Sequence, residues 1–321
     1  MDFRKLKQFL SIVEAGSLSG AAARLNIAQP ALSQAVQALE AELGAPLLER
    51  HARGVKLTEF GALLADQARI ILRQVDQARD LLQDRLTKPS GAVRLAVPPL
   101  LSGIFGFPLL ERLRKQEAIV EFTAVEREAG QCSEAILAGT VDLALSYCNQ
   151  GTPDLAIRPL IVEELVAVIP SHLCLSGRIS FGTLCNLELV LPPRGDPLRG
   201  IVDDAAGREG IRLKTAAEFS ARADILQCVS AVYTSVLPRR IVESAVSAGT
   251  AGLASFQDLR LPCCLFLVSP RPHVLPRHVA LFRDLLVETV EAMSLAGSLG
   301  GRFVGGLESE AGLVSVFAQQ R

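Results

Sequence analysis

A chain of 321 residues with 49% hydrophobic side chains, 21% charged side chains and a formal net charge of −1 is long enough for two or three domains, and its composition excludes a disordered protein. No run approaches the roughly 18 apolar residues that a membrane helix needs, and "MDFRKLKQFL" opens on a charged amphipathic pattern instead of an apolar signal core, so a soluble, cytoplasmic protein is expected. All seven cysteines lie after residue 131 without a C-x-x-C pair, and the four histidines lack metal-ligand spacing, which points away from a disulfide framework, a metal or a cofactor and toward thiols packed as small apolar side chains.

Apolar residues Phe3, Leu6, Phe9, Leu10 and Val13 recur at helical spacing, and Gly16 and Ser17 end that helix and cap a short second one through Leu18, Ala21, Ala22 and Leu25. After the turn Asn26-Ile27-Ala28 the pattern resumes at Leu32, Val36, Leu39 and Leu43 and stops at Gly44. Two helices a three-residue turn apart have the layout of a helix-turn-helix. "LLERHARGVKLT" then reads as a two-stranded hairpin with a basic tip. Residues 1–58 hold seven basic and five acidic side chains, a net +2; this sign suits phosphate binding, although a solvated face also accounts for so small an excess.

From Thr58 to about Leu86 a long helix is predicted, with Leu57, Gly61, Leu64, Ala68, Ile71, Val75, Ala78 and Leu82 alternating in steps of four and three, a heptad seam that predicts pairing with a second copy. "TKPSG" at 87–91 is a linker by composition. Beyond it, strand-like runs ("VRLAV", "VEFTAVE", "DLALSY", "LAIRPLI", "ELVAVI", "LELVL", "SVLP", "PCCLFLVS") alternate with helical patterns, which predicts a parallel-rich α/β fold with ligands beyond the carboxyl ends of its strands. The Gly- and Ser-rich tail from Ala296 is expected to be flexible.

The stretch "FLSIVEAGSLSGAAARLNIAQPALSQAVQALEAELGAPLLERHARGVKLTEFG" closely resembles the N-terminal domain of LysR-type transcriptional regulators, and the resemblance extends in order and layout to about residue 295. "VRLAVPPLLSGIFGFPLLERLR" and "PDLAIRPLIVEELVAVIP" look most like the nitrogen-assimilation-control branch. The resemblance implies a winged helix-turn-helix over 1–58, a linker and dimerisation helix over 59–87, and an effector-binding α/β domain over 91–295 similar to periplasmic binding proteins. That domain would comprise two Rossmann-like subdomains, I over about 91–162 and 266–295 and II over about 163–265, with 296–321 as a flexible tail. It further implies promoter DNA, a second copy of the chain in a homodimer or homotetramer, and RNA polymerase as partners.

If the helix from Gln29 lies in the major groove, its outward face offers Gln29, Ser33, Gln34 and Gln37; amides can pair bidentately with adenine, and Pro30 suits a first turn. The resemblance assigns DNA contacts to Gln29, Pro30 and Ser33, and phosphate or minor-groove contacts to the wing residues Arg50 and Arg53. The family usually has Ser or Thr where Ala28 stands, so Asn26 or Gln29 caps this helix or the cap is missing, and Gln34 replaces a frequent arginine.

For the effector, the loops after strands offer Leu101 and Ser102 in "PPLLSG", Ser146 and Tyr147 after "DLAL", Pro193 and Arg194 in "PPRGDP", and Arg222 in "SARAD". Arginines together with helix N-termini suit a small carboxylate or other anion. Tyr233, where the family commonly has glycine, would narrow the cleft, and the paired cysteines of thiol-switching members have no counterpart at 195–212. The alternatives are a regulator controlled by its own abundance without a ligand and, from another class, a solute-binding protein or an enzyme. No G-x-S-x-G, G-x-G-x-x-G, phosphate loop or metal cluster favours catalysis, and no catalytic residue is assigned.

Overall fold

The structure, a computed structural model, describes residues 2–51, 54–83, 89–116, 119–147, 152–173, 177–271, 275–297 and 301–305, with the backbone alone for 50, 73 and 76–83. Its compact units are Met1–Leu86 with Ala138–Thr140, and Thr87–Leu137 with Val141–Arg321.

In the first unit α1 (Phe3–Ala15) begins where the Asp2 carboxylate accepts a hydrogen bond from the Lys5 N–H at 2.8 Å, and it ends on Gly16 at φ 63°. Ser17 caps α2 (Leu18–Leu25) by accepting from the Gly20 N–H at 3.1 Å, and Asn26 closes it in the left-handed conformation. Then comes α3 (Gln29–Leu43). Ile12, Leu18, Ala21, Ala22, Leu32 and Val36 pack into one small core, as the helical periodicity requires. Phe3 and Leu43, expected on the apolar faces, are exposed, because each sits in the outermost turn of its helix.

Strands β1 (Leu48–His51) and β2 (Gly54–Leu57) pair antiparallel, and α4 (Glu59–Gln83) follows, capped by Thr58, which accepts from the Gly61 N–H at 2.9 Å. Gly61 has no room for a side chain, since a Cβ there would collide with the Leu47 carbonyl. The predicted heptad seam is partly spent inside this unit: Ala68 is buried, and Leu64 and Ile71 pack with Ala65 and Leu72 against Leu6, Phe9 and Leu10 of α1. Among the described residues the large apolar side chains that α4 leaves exposed are instead Phe60 and Leu63. The side chains of Ala78 and Leu82 lie outside the described residues.

The second unit runs β3 (Ser90–Val97), α5 (Gly106–Leu113), β4 (Ile119–Glu126), α6 (Cys132–Leu137), β5 (Leu143–Ser146), β6 (Leu155–Pro170), β7 (Gly177–Ile179), α7 (Phe181–Cys185) and β8 (Leu189–Leu191). It continues with α8 (Pro197–Arg208), β9 (Thr215–Glu218), α9 (Arg222–Ala231), β10 (Ser235–Pro238), α10 (Arg239–Ser247), β11 (Ala251–Phe256), β12 (Pro262–Pro270), α11 (Arg277–Leu295) and β13 (Arg302–Phe303).

Its large sheet has the order β4-β3-β5-β12-β6-β11-β7, with β10 and β13 also on β6, and β8 and β9 pair separately. The sheet is mixed and not parallel-rich, because β12 is antiparallel to both β5 and β6, and β6 is antiparallel to β10 and β11. The runs "LAIRPLI" and "ELVAVI" form one 16-residue strand. Pro159 is accommodated where the β6–β12 register shifts between Leu265 and Phe266. Of the tail expected to be flexible, Arg302–Phe303 add a strand to β6 and Val304 is buried, while 306–321 lie outside the described residues. Among the described residues no helix is long and apolar enough to cross a membrane.

Candidate functional site

On α3, Leu32, Val36 and Leu39 are buried, whereas Gln29, Pro30, Gln34 and Gln37 are exposed and Ser33 is half-buried. The core fixes one side of the helix, and the amide-rich side is left for contact. Asn26 does not cap α3, because its own N–H completes α2 by bonding to Ala22 and Ala23. Ala28 occupies the N-cap position in an extended conformation and no side chain accepts there, so the first free N–H groups of α3 remain available to an oxygen ligand.

The hairpin is tied to α3 and to the end of α1 by contacts that the sequence pattern does not advertise. Glu40 Oε1 accepts from the N–H groups of Leu47 at 2.8 Å and Leu48 at 3.2 Å, which joins the last turns of α3 to the start of β1. The Val55 N–H bonds to the Gly16 carbonyl at 3.0 Å, and a Cβ on Gly54, at φ 132°, would lie 2.5 Å from that same oxygen. Lys56 is exposed opposite Glu49 in the register. Arg53 lies outside the described residues, and only the backbone of Arg50 is described, in β1.

In the second unit the predicted effector residues separate into three groups. Leu101 is fully buried, Ser102 is half-buried, and the neighbouring Gly103, at φ 78°, presents its Cβ position 3.6 Å from Arg222 Nη2. The loop 98–103 and the N-terminus of α9 therefore meet. Arg222 has no hydrogen-bond or ion-pair partner among the described residues, and α9 has no side-chain cap.

Arg194 and Pro193 behave differently. The Arg194 side chain is 84% exposed and lies 4.0 Å from Glu218, and Pro193 is half-buried. The N-terminus of α8 that follows them is already occupied, because Asp196 accepts from the Leu198 N–H at 2.8 Å and the Arg199 N–H at 3.4 Å. Burial raises the Asp196 carboxyl above its ordinary value, the two backbone N–H groups oppose this, and the charge of Glu128 reinforces it. Among the described residues an anion thus meets an uncapped helix end and an arginine without a partner at α9, and a carboxylate at α8.

Ser146 and Tyr147 are turned into the core. Arg240 Nη2 donates to Tyr147 Oη at 2.8 Å and stacks 5.5 Å from its ring, while the Arg240 guanidinium pairs with Glu163 on β6, both side chains having no exposure. Burial pushes the Glu163 carboxyl up against the pull of Arg240; for Arg240, burial disfavours the charge and Glu163 and Tyr147 more than restore it. Tyr233 packs against the main core. Burial pushes the thiols of Cys185 up to about 11 and Cys264 up to about 12, and that of Cys263 well above its usual range, so at neutral pH these three are protonated and unreactive.

Residues 3–62 match the family described as "Bacterial regulatory helix-turn-helix protein, lysR family", and residues 87–291 match "LysR substrate binding domain". The chain belongs to the LysR family of transcriptional regulators. It is accordingly a DNA-binding transcription regulator with an effector-binding domain. Among LysR relatives, the "Nitrogen assimilation regulatory protein nac" of Klebsiella aerogenes is 30% identical over 92% of this chain and 97% of that protein. The protein of the same name from Escherichia coli (strain K12) is 28% identical over 91% and 96%, in keeping with the branch the sequence resembles. The crystal structure of full-length CbnR complexed with its target DNA has a TM-score of 0.67 at 25% identity, covering 90% of this chain and 100% of that one. A structure of full-length OxyR from Pseudomonas aeruginosa, at 20% identity and a TM-score of 0.68 over 94% and 98%, shares the fold.

Proposed function

We propose that this regulator reads promoter DNA with Gln29, Pro30, Ser33, Gln34 and Gln37 of α3 and clamps the phosphates with the wing residues Arg50 and Arg53. In this reading a small anion, bound where the 98–103 loop meets α9, alters the DNA-bound oligomer. The observation that carries the DNA assignment is the exposed amide face of α3 beside its uncapped N-terminus. A relative in fold whose crystal structure holds target DNA supports it. For the effector, Ser102 and Arg222 carry the site with Leu101 behind them. Pro193 and Arg194 form its outer rim, and Ser146 and Tyr147 act from the core.

The domains in this reading are 1–58 for DNA, 59–87 for dimerisation and 91–295 for the effector, and RNA polymerase is the partner that receives the signal. The protein is a cytoplasmic homodimer or homotetramer and catalyses no reaction. DNA binding on mapped genomic sites tests the first half. Gln29→Ala with Ser33→Ala is expected to lower specific affinity more than non-specific affinity, and Arg53→Ala to lower both. Equal losses in the two variants would remove α3 from the reading role.

A further inference from the structure

Along its 16 residues β6 changes partners: 155–164 pair with β12, and 165–170 pair with β10 and β11. The second unit therefore has one half around β3, β4, β5 and β12 and another around β7, β10 and β11. The chain passes between the halves twice, within β6 and from β11 into β12, and the Leu165 N–H bonds to the Leu261 carbonyl at 2.8 Å where the passages adjoin. Two adjacent passages act as a hinge, and the buried side chains beside them fix its angle.

Arg240 enters this hinge from the second half, on the helix that follows β10, whose Pro238 pairs with Leu165. Both partners of its guanidinium belong to the first half: Glu163, opposite Cys263 in the β6–β12 register, and Tyr147, which follows β5. A single nitrogen, Nη2, serves both, and Tyr147 Oη lies 3.5 Å from Glu163 Oε1, so three side chains of two halves meet at one point. Nε and Nη1 of Arg240 and Oε2 of Glu163 are buried without a hydrogen-bond partner among the described residues. Buried groups left in this way are costly, and a guanidinium and a carboxylate relieve the cost by pairing through two parallel bonds.

We infer that Arg240 is a two-position clasp between the halves of this unit. In the position seen here Nη2 is shared between Glu163 and Tyr147. In the other the guanidinium turns to pair with both oxygens of Glu163, Tyr147 is released, and the two halves rotate about the β6 crossing. The clasp operates in the ligand-free chain, so it sets the resting angle of the unit independently of any effector.

Hydrogen exchange of the full chain, read segment by segment, tests it. Tyr147→Phe keeps the ring and removes the hydroxyl that holds the first position. It is expected to speed exchange about tenfold or more in 98–104 and 221–226, which face each other where the Gly103 Cβ position lies 3.6 Å from Arg222 Nη2. Segments inside each half, 92–97 in β3 and 252–255 in β11, are expected to keep the exchange of the parent protein. A crystal structure of the same variant is expected to show Arg240 bonded to both oxygens of Glu163. Glu163→Leu with Arg240→Met removes both positions and is expected to speed exchange in the same two facing segments, and adding Tyr147→Phe to it is expected to change nothing further.

Unchanged exchange in Tyr147→Phe overturns the inference, and so does a rise spread evenly over all segments, which would make Tyr147 a structural contact only. A variant crystal structure in which Arg240 keeps a single contact with Glu163 overturns the second position. Further acceleration on adding Tyr147→Phe to the double variant would show that Tyr147 acts apart from Arg240 and overturns the clasp.

Discussion

Arg240 and Glu163 form an ion pair with no solvent exposure on either side chain, joining α10 to the middle of β6. Among the described residues Glu163 Oε2 and Arg240 Nε and Nη1 have no further partner, so the pair is held by a mutual contact and by Tyr147. Removing one member strands the other charge in the core. Glu163→Leu is expected to cost about 3–5 kcal/mol, and Glu163→Leu with Arg240→Met to recover most of that loss, because replacing a buried pair by apolar groups is often neutral. Urea unfolding of the parent, Glu163→Leu, Arg240→Met and the double variant measures it; additive losses would show that the pair is not coupled.

Asp196 predicts a pH dependence. Its carboxyl lies above the ordinary value of 3.8 in the folded chain, chiefly through burial, so the folded state holds this proton more tightly than the unfolded state does. Its contribution is fully present below the ordinary value and is lost as the pH rises through the raised one. Asp196→Asn keeps an N-cap acceptor and cannot ionise, so its stability relative to the parent protein is expected to grow over that window and then level off. Parallel melting-temperature profiles of the two proteins would exclude this role for Asp196.

The wing depends on a close approach of two backbones. Gly54→Ala places a methyl group 2.5 Å from the Gly16 carbonyl at a φ of 132°, and is expected to cost about 1–3 kcal/mol and to weaken DNA affinity by moving β2. Unfolding midpoints and fluorescence anisotropy with duplex DNA give the two readouts. Unchanged values in both would mean that the wing tolerates the displacement.

On α4, Phe60 and Leu63 are 57% and 64% exposed while Ala65, Ala68 and Leu72 face α1. Phe60→Glu with Leu63→Glu is therefore expected to shift the protein toward monomer in sedimentation, with little loss of helical content. Ala62→Glu, another exposed position on the same helix, is the companion measurement. A dimer that survives the double substitution would assign self-association to other surfaces.

The helices of the first unit and the exposed, amide-rich side of α3 were legible because their cause is local: Gly16, Ser17 and Gly44 punctuate the chain and Leu32, Val36 and Leu39 mark the inner side. The heptad along α4 was also real as a pattern, yet a single sequence cannot say whether an apolar seam meets its own domain or a second copy, and Leu64, Ala68 and Ile71 meet α1. Val162 and Glu163 fell between two runs read as separate strands, although β6 continues through them because Arg240, 77 positions away in sequence, neutralises Glu163. Glu40 was invisible as the anchor of the wing for a related reason, since the donors it accepts from are backbone N–H groups without a residue signature. For the effector, arginine in a loop marked both Arg194 and Arg222; burial and neighbours, which only the fold supplies, distinguish the exposed one from the one beside Gly103.

The short strand β13 has a practical meaning for how this domain can be cut. Arg302 and Phe303 cover the flank of β6 at Val162 and Ile161, the Val304 N–H bonds to the Leu160 carbonyl at 2.8 Å, and the Gly305 carbonyl accepts from Arg158 Nε at 2.7 Å. A boundary drawn at residue 291, where the family match ends, would cut α11 short and strip this flank. The uncovered backbone of β6 would then be a template for intermolecular strand pairing, and a fragment ending there would aggregate for a reason unrelated to its effector.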